Sequence, residues 1–363
     1  MKVLSMPSLK NINTRSLMAK FDPRLVAAWA SVVVLAVCVL VLWPSQEATT
    51  TNDSTRVVMQ IEAAQTTTES EAPNGDAATE GISGGPALSA SGALPPAPVE
   101  GLQENSTVGL LPRIAADGRR PWQVYARPVP PGATKGARVA ILVAGLGVSA
   151  LTTQTILGKL PPEVTLGFDA QGSFVADGIT YARRGGHETL LMLPMEPLDY
   201  PQDDPGPETL LSSLDDSSNI ERLQRHLAKA SGYVGVATLS GTRLISVPDK
   251  MEPVLKEVHD RGLMWFETRL APQAVTGDIA KRLKMPHAVS SRLIDADLDI
   301  DPSSVTTALQ DLERTAKAEG KAVGMVSNPT PYVLETLNTW LSGLGKKGFV
   351  LVPVTAVVSD GSP

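Results

Sequence analysis

Cysteine and histidine are scarce in this 363-residue chain, and its basic residues do not outnumber its acidic ones. The single cysteine, Cys38, cannot form an intramolecular disulfide, so any folded domain must rely on its own hydrophobic core. None of the four histidines lies three or four residues from another, which argues against a histidine-rich metal site. Lys and Arg number 32 against 38 Asp and Glu, and the formal net charge of −6 argues against a nucleic-acid-binding surface.

One long uncharged run lies near the N-terminus. Residues 25–43 read LVAAWASVVVLAVCVLVLW, about 19 positions that as a helix match the ~30 Å hydrocarbon core of a bilayer. Basic residues are concentrated before this run, so the positive-inside rule places residues 1–24 in the cytoplasm. The run is longer than the core of a signal peptide, and Pro44-Ser45-Gln46-Glu47 offers no small-x-small cleavage site. The sequence therefore predicts an uncleaved transmembrane anchor, with the rest of the chain outside the cytoplasm.

Residues 44–137 are rich in Thr, Ser, Ala, Gly, Pro and Glu and show little hydrophobic periodicity. This composition cannot bury enough apolar surface to offset the entropy of ordering the chain, so we expect a low-complexity, flexible linker. Two short segments differ, LLPR at 110–113 and PWQVY at 121–125. They either pack on the folded domain as an extended strap or remain exposed as a docking peptide.

From residue 138 to 360, apolar runs of strand length alternate with amphipathic stretches of helical length. This alternation predicts an α/β domain with a parallel sheet covered on both faces. The predicted strands are 139–143, 164–168, 189–193, 233–239, 263–266, 288–294, 322–326 and 349–354, and the predicted helices include 220–230, 250–260, 305–318 and 333–344. Eight strands allow a (β/α) barrel or an open doubly wound sheet. The barrel is favoured because no G-x-G-x-x-G or Walker loop accompanies a strand.

In both architectures the functional residues lie at the carboxyl ends of the strands, where several acidic side chains occur. The candidate catalytic residues are Glu196, Asp295 and Asp297, since two carboxylates on one rim can act as acid and base in glycoside hydrolysis. The candidate substrate-binding residues are Asp203, Asp204, Glu267, Arg269 and Asn328. In the alternative, structural interpretation, residues 203–207 form a rigid loop and Glu267 pairs with Arg269 or another base.

The position of each histidine predicts its environment. His187 precedes a predicted strand, so it should lie at the amino ends of the strands and have a structural role. His226 and His259 fall within helical patterns rich in Arg, Lys and Glu, and we expect both to be exposed to solvent.

Long segments of the domain resemble the divergent polysaccharide deacetylase family of bacterial envelopes. The matching text is RVAILVAGLG (138–147), GHETLLMLPMEPLDYPQDDPGP (186–207), RGLMWFETR (261–269) and GKAVGMVSNP (320–329). The resemblance implies a distorted (β/α) barrel of the polysaccharide-deacetylase type, related to metal-dependent enzymes that hydrolyse N- or O-acetyl groups on glycans. In those enzymes two His and one Asp hold a divalent metal, and a carboxylate takes a proton from the metal-bound water.

The chain departs from this pattern where the metal chemistry needs ligands. Many relatives end the first strand with Asp-Asp-Leu-Gly, and this chain has Ala144-Gly145-Leu146-Gly147 instead. A His-x-x-x-His motif is expected where residues 193–197 read LPMEP, and a Gly-His-Pro motif where residues 327–329 read SNP. We therefore expect no metal ligand set and no cofactor. The alternative is an oxygen-only site for a hard divalent cation among the rim acids.

Together these features predict a single-pass protein of the bacterial inner membrane, with a cytoplasmic N-terminus and a periplasmic deacetylase-like domain. The leading hypothesis is a pseudoenzyme that binds or senses a cell-envelope glycan. One alternative is an active carbohydrate hydrolase or deacetylase that uses the rim carboxylates. Another is a noncatalytic envelope scaffold with a protein partner. Whether the chain is an enzyme stays open on the sequence alone.

Overall fold

The computed structural model describes residues 92–129, 136–238, 240–268, 271–296 and 302–359. The predicted anchor, the first half of the predicted linker, Arg269 and Asp297 lie outside these ranges. Among the described residues, no helix has both the length and the apolar character that a membrane span requires.

A parallel sheet forms the centre of the fold. In chain order the strands are β1 (Gln103–Ser106), β2 (Gly109–Pro112), β3 (Ala137–Leu146), β4 (Thr165–Asp169), β5 (Thr189–Leu193), β6 (Gly235–Thr238), β7 (Met264–Glu267), β8 (His287–Val289), β9 (Arg292–Leu293), β10 (Lys321–Val326) and β11 (Phe349–Val352). β1 and β2 form a separate antiparallel hairpin. The main sheet has the order β8-β7-β6-β5-β4-β3-β10-β9, and β11 pairs with the first half of β3. The prediction of an α/β domain with a parallel sheet is confirmed.

Helices connect most of these strands. They are α1 (Pro121–Val124), α2 (Ala150–Leu157), α3 (Val175–Arg184), α4 (Asp216–Leu227), α5 (Pro248–Asp260), α6 (Thr276–Arg282), α7 (Pro302–Glu319) and α8 (Pro331–Leu344). Two of the predicted helices begin at polar caps, because Asp215 accepts a hydrogen bond from the Ser218 N–H and Thr330 accepts one from the Val333 N–H. Each cap satisfies a backbone donor that the first helical turn leaves free.

The sheet is curved, and one short segment passes from one edge to the other. β8 pairs with β7, β9 pairs with β10, and two residues separate β8 from β9. The Ser290 N–H donates to the Glu267 carbonyl at 2.8 Å, whereas the Ser291 N–H donates to the Val323 carbonyl at 2.7 Å. The predicted strand 288–294 is therefore divided between two partners. The result is an α/β half-barrel of parallel strands.

Alternation along β3 divides the core into two layers. Ile141 and Val143 belong to a large cluster that also contains the buried faces of the helices. Leu142 and Ala144 belong to a second cluster on the inner side of the sheet, with Met192 and other side chains from neighbouring strands. These inner positions are almost fully buried, so the interior is packed with side chains. Ligands must therefore bind at the ends of the strands or at an edge of the sheet.

Residues 92–129 are part of the fold, so the flexible linker predicted at 44–137 is wrong for this segment, which we call the strap. The strap contains the hairpin and α1. Its residues Leu102 and Tyr125 are buried in the inner cluster, and the Trp122 N–H donates to the Gly262 carbonyl at 3.1 Å. Of the two alternatives for residues 121–125, packing on the domain is correct. A few large apolar side chains in a Pro- and Gly-rich segment are enough to fill the open end of a curved sheet.

A buried arginine attaches the strap to the amino ends of the strands. Arg183 of α3 donates to the carbonyl oxygens of Tyr125 at 3.1 Å, Gly232 at 2.9 Å and Pro95 at 2.7 Å. Its guanidinium carbon also lies 5.0 Å from the centre of the Tyr125 ring. Burial lowers the pKa of Arg183 to about 10, so the group is still charged at neutral pH. Its hydrogen bonds are therefore charge-assisted and stronger than neutral ones.

The carboxylate of Glu188, directly before β5, connects three separate parts of the chain. It is fully buried and accepts hydrogen bonds from the Arg127 N–H of the strap at 3.3 Å and from the Thr165 hydroxyl of β4 at 3.1 Å. The N–H of Thr355, in the segment after β11, donates to it at 3.2 Å, and the Thr355 hydroxyl also donates to it. Because the strap supplies one of these donors, the folded unit includes residues from 92 onwards. The domain boundary predicted at residue 138 is too late.

Replacing Leu102 by Ala should lower the free energy of unfolding by about 2–5 kcal/mol, because this side chain is fully buried between the strap and the inner cluster. Leu110 in the same strap is 47% exposed, and Leu110→Ala should cost less than about 1 kcal/mol. Urea denaturation of the purified chain measures both values. Equal effects of the two substitutions would contradict an integral role for the strap.

Candidate functional site

The carboxyl end of β3 lies near the centre of the sheet, between β4 and β10, and consists of small residues. Ala144 is fully buried, and Gly145 and Gly147 have φ angles of +79° and +89°, a region that other residues rarely adopt. A Cβ on Gly145 would lie 3.2 Å from the Ser327 carbonyl oxygen, because the backbone of β3 approaches the loop after β10 closely. The floor of this end of the sheet is therefore backbone without a functional side chain.

Asp169 and Asn328 stand on the two sides of this floor, at the ends of β4 and β10. The Oδ1 atom of Asp169 accepts a hydrogen bond from the Gln171 N–H at 2.8 Å, and its side chain is partly exposed. Asn328 is exposed. Asp169 directly follows the predicted strand 164–168, so the strand-end rule selects it for inspection, but the sequence alone assigns it no catalytic or binding role. Its place at a strand end is the signal that identifies it.

Glu196, a candidate catalytic residue, is 4% exposed and holds two loops together. Its Oε2 atom accepts a hydrogen bond from the Ser212 N–H at 2.6 Å, and its Oε1 atom lies 3.4 Å from Nε of Arg243. Its main-chain carbonyl accepts hydrogen bonds from the N–H groups of Arg243 and Leu244. These contacts give Glu196 a positioning role in the loops that follow β5 and β6.

Asp295, the second candidate catalytic residue, is 8% exposed and holds the loop after β10. Its carboxylate accepts hydrogen bonds from the Ser327 N–H at 2.9 Å, the Asn328 N–H at 2.5 Å and the Ser327 hydroxyl at 3.2 Å. Consecutive backbone N–H groups that point at one carboxylate form a small anion-binding turn. This turn fixes the start of the loop that carries Asn328. The third candidate, Asp297, lies outside the described residues.

The remaining sequence candidates do not form one cluster with these acids. Glu267 is buried at the end of β7 and accepts a hydrogen bond at 2.5 Å from the hydroxyl of Thr276, which is also buried. Asp203 and Asp204 are exposed, and Asp204 accepts a hydrogen bond from the Gly206 N–H at 2.9 Å within its own turn. The rigid-loop interpretation therefore fits residues 203–207. Arg269 lies outside the described residues, so no pairing with Glu267 is described.

The side chains at this end of the sheet do not fit a metal ion of the deacetylase type. In the part of the chain that the structure describes, no group of three or more His, Cys, Asp or Glu residues is arranged to hold one. Ala144 and Gly145 have no donor atom in their side chains, and the Asp295 carboxylate is already bound to backbone N–H groups. No reaction step through a metal is therefore derived for these residues.

Three of the four histidines, His187, His226 and His287, are buried. His187 is buried at the amino end of β5, with Nδ1 2.9 Å from the Val164 carbonyl oxygen, and burial lowers its pKa. The structural role predicted for it is confirmed. The prediction that His226 is exposed is wrong, because it is 1% exposed and its Nε2 lies 2.9 Å from the Glu208 carbonyl oxygen. The loop before α4 covers this side chain, and a helical pattern alone does not reveal such a cover.

The sequence profile of the divergent polysaccharide deacetylase family matches residues 141–358, which is more than half of the chain. The chain belongs to this family. The crystal structure of an uncharacterized protein from Agrobacterium tumefaciens C58 is similar to this chain, with 38% sequence identity and a TM-score of 0.65. The alignment covers 69% of this chain and 99% of that protein. The two proteins therefore share the same fold.

More distant solved structures include an enzyme of stated activity. The catalytic domain of a peptidoglycan N-acetylglucosamine deacetylase from Eubacterium rectale ATCC 33656 is 12% identical, with a TM-score of 0.40. The alignment covers 66% of this chain and 94% of that domain. No curated protein matches the chain. At this low sequence identity and TM-score, the similarity carries no argument about the activity of the chain described here.

Replacing Asp295 by Asn should destabilise the fold by about 1–3 kcal/mol, because one of the two acceptor oxygens becomes an amide nitrogen that cannot accept a hydrogen bond and faces the donors of Ser327 and Asn328. The matched control Asp203→Asn changes an exposed carboxylate and should alter stability by less than about 0.5 kcal/mol. Thermal unfolding of both variants measures the difference. A neutral Asp295→Asn substitution would contradict the loop-holding role.

Proposed function

We propose that this divergent polysaccharide deacetylase binds a cell-envelope glycan at the carboxyl end of β3 and does not deacetylate it by metal chemistry. Residues 25–43 would anchor the chain in the bacterial inner membrane, with the N-terminus in the cytoplasm and the folded domain in the periplasm. The protein would work without a cofactor, as a pseudoenzyme that recognises or senses the cell wall.

The proposal rests on the burial of three carboxylates at the carboxyl ends of the strands and on the hydrogen bonds that they already accept. Glu196, Glu267 and Asp295 are all buried, and each accepts hydrogen bonds from loops or helices near the site. A carboxylate that transfers protons or binds a metal must reach the substrate, whereas these three are directed into the protein framework. The alternative of a carbohydrate hydrolase that uses Glu196 and Asp295 therefore has less support.

The surface around β3 suits a hydroxyl-rich ligand. Asp169 has one carboxylate oxygen bound to the Gln171 N–H, and its other oxygen can accept hydrogen bonds from sugar hydroxyl groups. The exposed amide of Asn328 can both donate and accept. Val148 and Leu198, in the loops after β3 and β5, are 60% and 68% exposed. Such apolar side chains can contact the C–H faces of a sugar ring.

The position of the strap also supports a tethered glycan binder. Gly92, the first described residue, lies at the amino ends of the strands, where a Cβ on Gly186 would be 2.7 Å from the Gly92 carbonyl oxygen. The preceding part of the chain therefore joins the domain at the end opposite Asp169 and Asn328. This arrangement leaves the proposed binding surface free of the attachment point.

The purified full-length chain should bind peptidoglycan sacculi, and Asp169→Asn should weaken this binding about tenfold, because it removes a charged acceptor of sugar hydroxyl groups. The control Asp260→Asn alters an exposed acid at the end of α5, which leads into the amino end of β7, and should leave binding unchanged. Sedimentation with sacculi measures all three proteins. Capture of a protein partner with no sedimentation on sacculi would support the scaffold alternative and contradict the proposal.

The same purified chain should release no acetate from acetylated glycans, and its binding to sacculi should be insensitive to a chelator, since the described side chains provide no metal ligand set. Acetate is measured by coupled assay and metal content by elemental analysis. Stoichiometric zinc, or acetate release that a chelator abolishes, would show that an active metal site exists.

A further inference from the structure

A cavity of about 270 Å³ lies between β8 and the first part of β10, where Ser290 and Ser291 connect the two edges of the sheet. It is away from the carboxyl end of β3. Its position follows from the hydrogen-bond ladder. β9 pairs with β10 from Gly324 onwards, and β8 pairs with β7, so in the described residues no ladder joins β8 to the first part of β10. The last turns of α7 close the gap on one side, and the segment after β11 closes it on another.

Polar groups with spare hydrogen-bonding capacity line this cavity. His287 is 6% exposed, and its Nδ1 lies 3.3 Å from the Met285 carbonyl oxygen, while no described residue binds its Nε2. The ammonium of Lys321 donates to the Val357 carbonyl at 3.0 Å and to the Ser359 hydroxyl at 3.4 Å, which leaves one of its three N–H groups. The Nε2 atom of His287 is therefore available for a hydrogen bond to a ligand in the cavity.

Acceptors and further donors are also present. The Ser291 hydroxyl oxygen accepts a hydrogen bond from the Val323 N–H at 3.1 Å, so its own O–H can donate to a ligand. Glu319, at the end of α7, is exposed at the entrance and forms no ion pair with any described residue. Thr315, one turn earlier on α7, contributes a hydroxyl and a methyl group to the wall.

We propose that this cavity binds a single amino-sugar ring. Its volume is at the lower limit of small-molecule sites, roughly 300 Å³, so it admits one ring and excludes an oligosaccharide. The donors of His287, Ser291 and Lys321 match the hydroxyl oxygens of a sugar. The carboxylate of Glu319 matches an ammonium group and disfavours small anions. This site is separate from the proposed glycan surface near Asp169.

Glucosamine and glucose test the proposal, because they differ at one position, where the ammonium of glucosamine replaces a hydroxyl group. The purified full-length chain should bind glucosamine about tenfold more tightly than glucose, as a hydrogen bond to a charged group is worth roughly 1.4 kcal/mol more. Ligand-observed NMR titration measures both affinities. Equal affinities, or no saturable binding of glucosamine, would overturn the proposal.

Two variants locate the binding to this cavity. Glu319→Gln changes an exposed side chain and should abolish the preference for glucosamine, whereas the matched control Glu335→Gln on α8 should keep it. Thr315→Leu should weaken binding of both sugars at least about tenfold, because the larger side chain enters the cavity. A preference that survives Glu319→Gln, or binding of both sugars that Thr315→Leu leaves unchanged, would place the sugar elsewhere and contradict the proposal.

Discussion

The buried carboxylate of Glu188 is the contact on which the arrangement of the whole domain depends. A curved parallel sheet leaves an opening at the amino ends of its strands, and that opening must be covered before the inner side chains are protected from water. Here the strap supplies Leu102 and Tyr125 as the cover, and Glu188 binds the Arg127 N–H of the strap together with Thr165 and Thr355. One buried group thus aligns the strap, the sheet and the C-terminal segment.

This covered end explains why the two ends of the sheet differ. The amino ends carry buried ionisable groups, Arg183 and Glu188, whose hydrogen bonds connect distant segments. The carboxyl ends carry Glu196 and Asp295, whose hydrogen bonds hold nearby loops, and beside them the half-buried Gly145 and the partly exposed Asp169 remain accessible. A ligand therefore has access at the carboxyl end without competing with the contacts that stabilise the fold.

The pattern of apolar side chains along the sequence predicts the strands well, because each buried strand is a continuous apolar run. It does not show which neighbouring strands their backbone N–H and C=O groups bind. Residues 288–294 look like one strand, and the structure divides them because their N–H groups change partner between Ser290 and Ser291. The apolar pattern does not indicate α2, because its residue Leu151 is 76% exposed and its apolar positions do not mark a single face. At the site, strand ends correctly locate Glu196 and Asp295. Their roles depend on loop N–H groups far away in sequence, and residue spacing contains no information about them.

In this member of the divergent polysaccharide deacetylase family, the cost of removing a carboxylate depends on whether that carboxylate binds buried backbone N–H groups. Removing a carboxylate that binds backbone N–H groups leaves buried donors without partners, at a cost of about 1–3 kcal/mol each, so such acids stabilise the fold. Removing a metal ligand at the end of β3 has no such cost, because Ala144 packs into the inner cluster and Gly145 adopts the left-handed conformation that the close approach to Ser327 needs. The fold is therefore compatible with a β3 end that has no side-chain donors for metal chemistry. The carboxylate, the amide and the exposed apolar side chains at the carboxyl ends are the basis of the glycan binding that we propose.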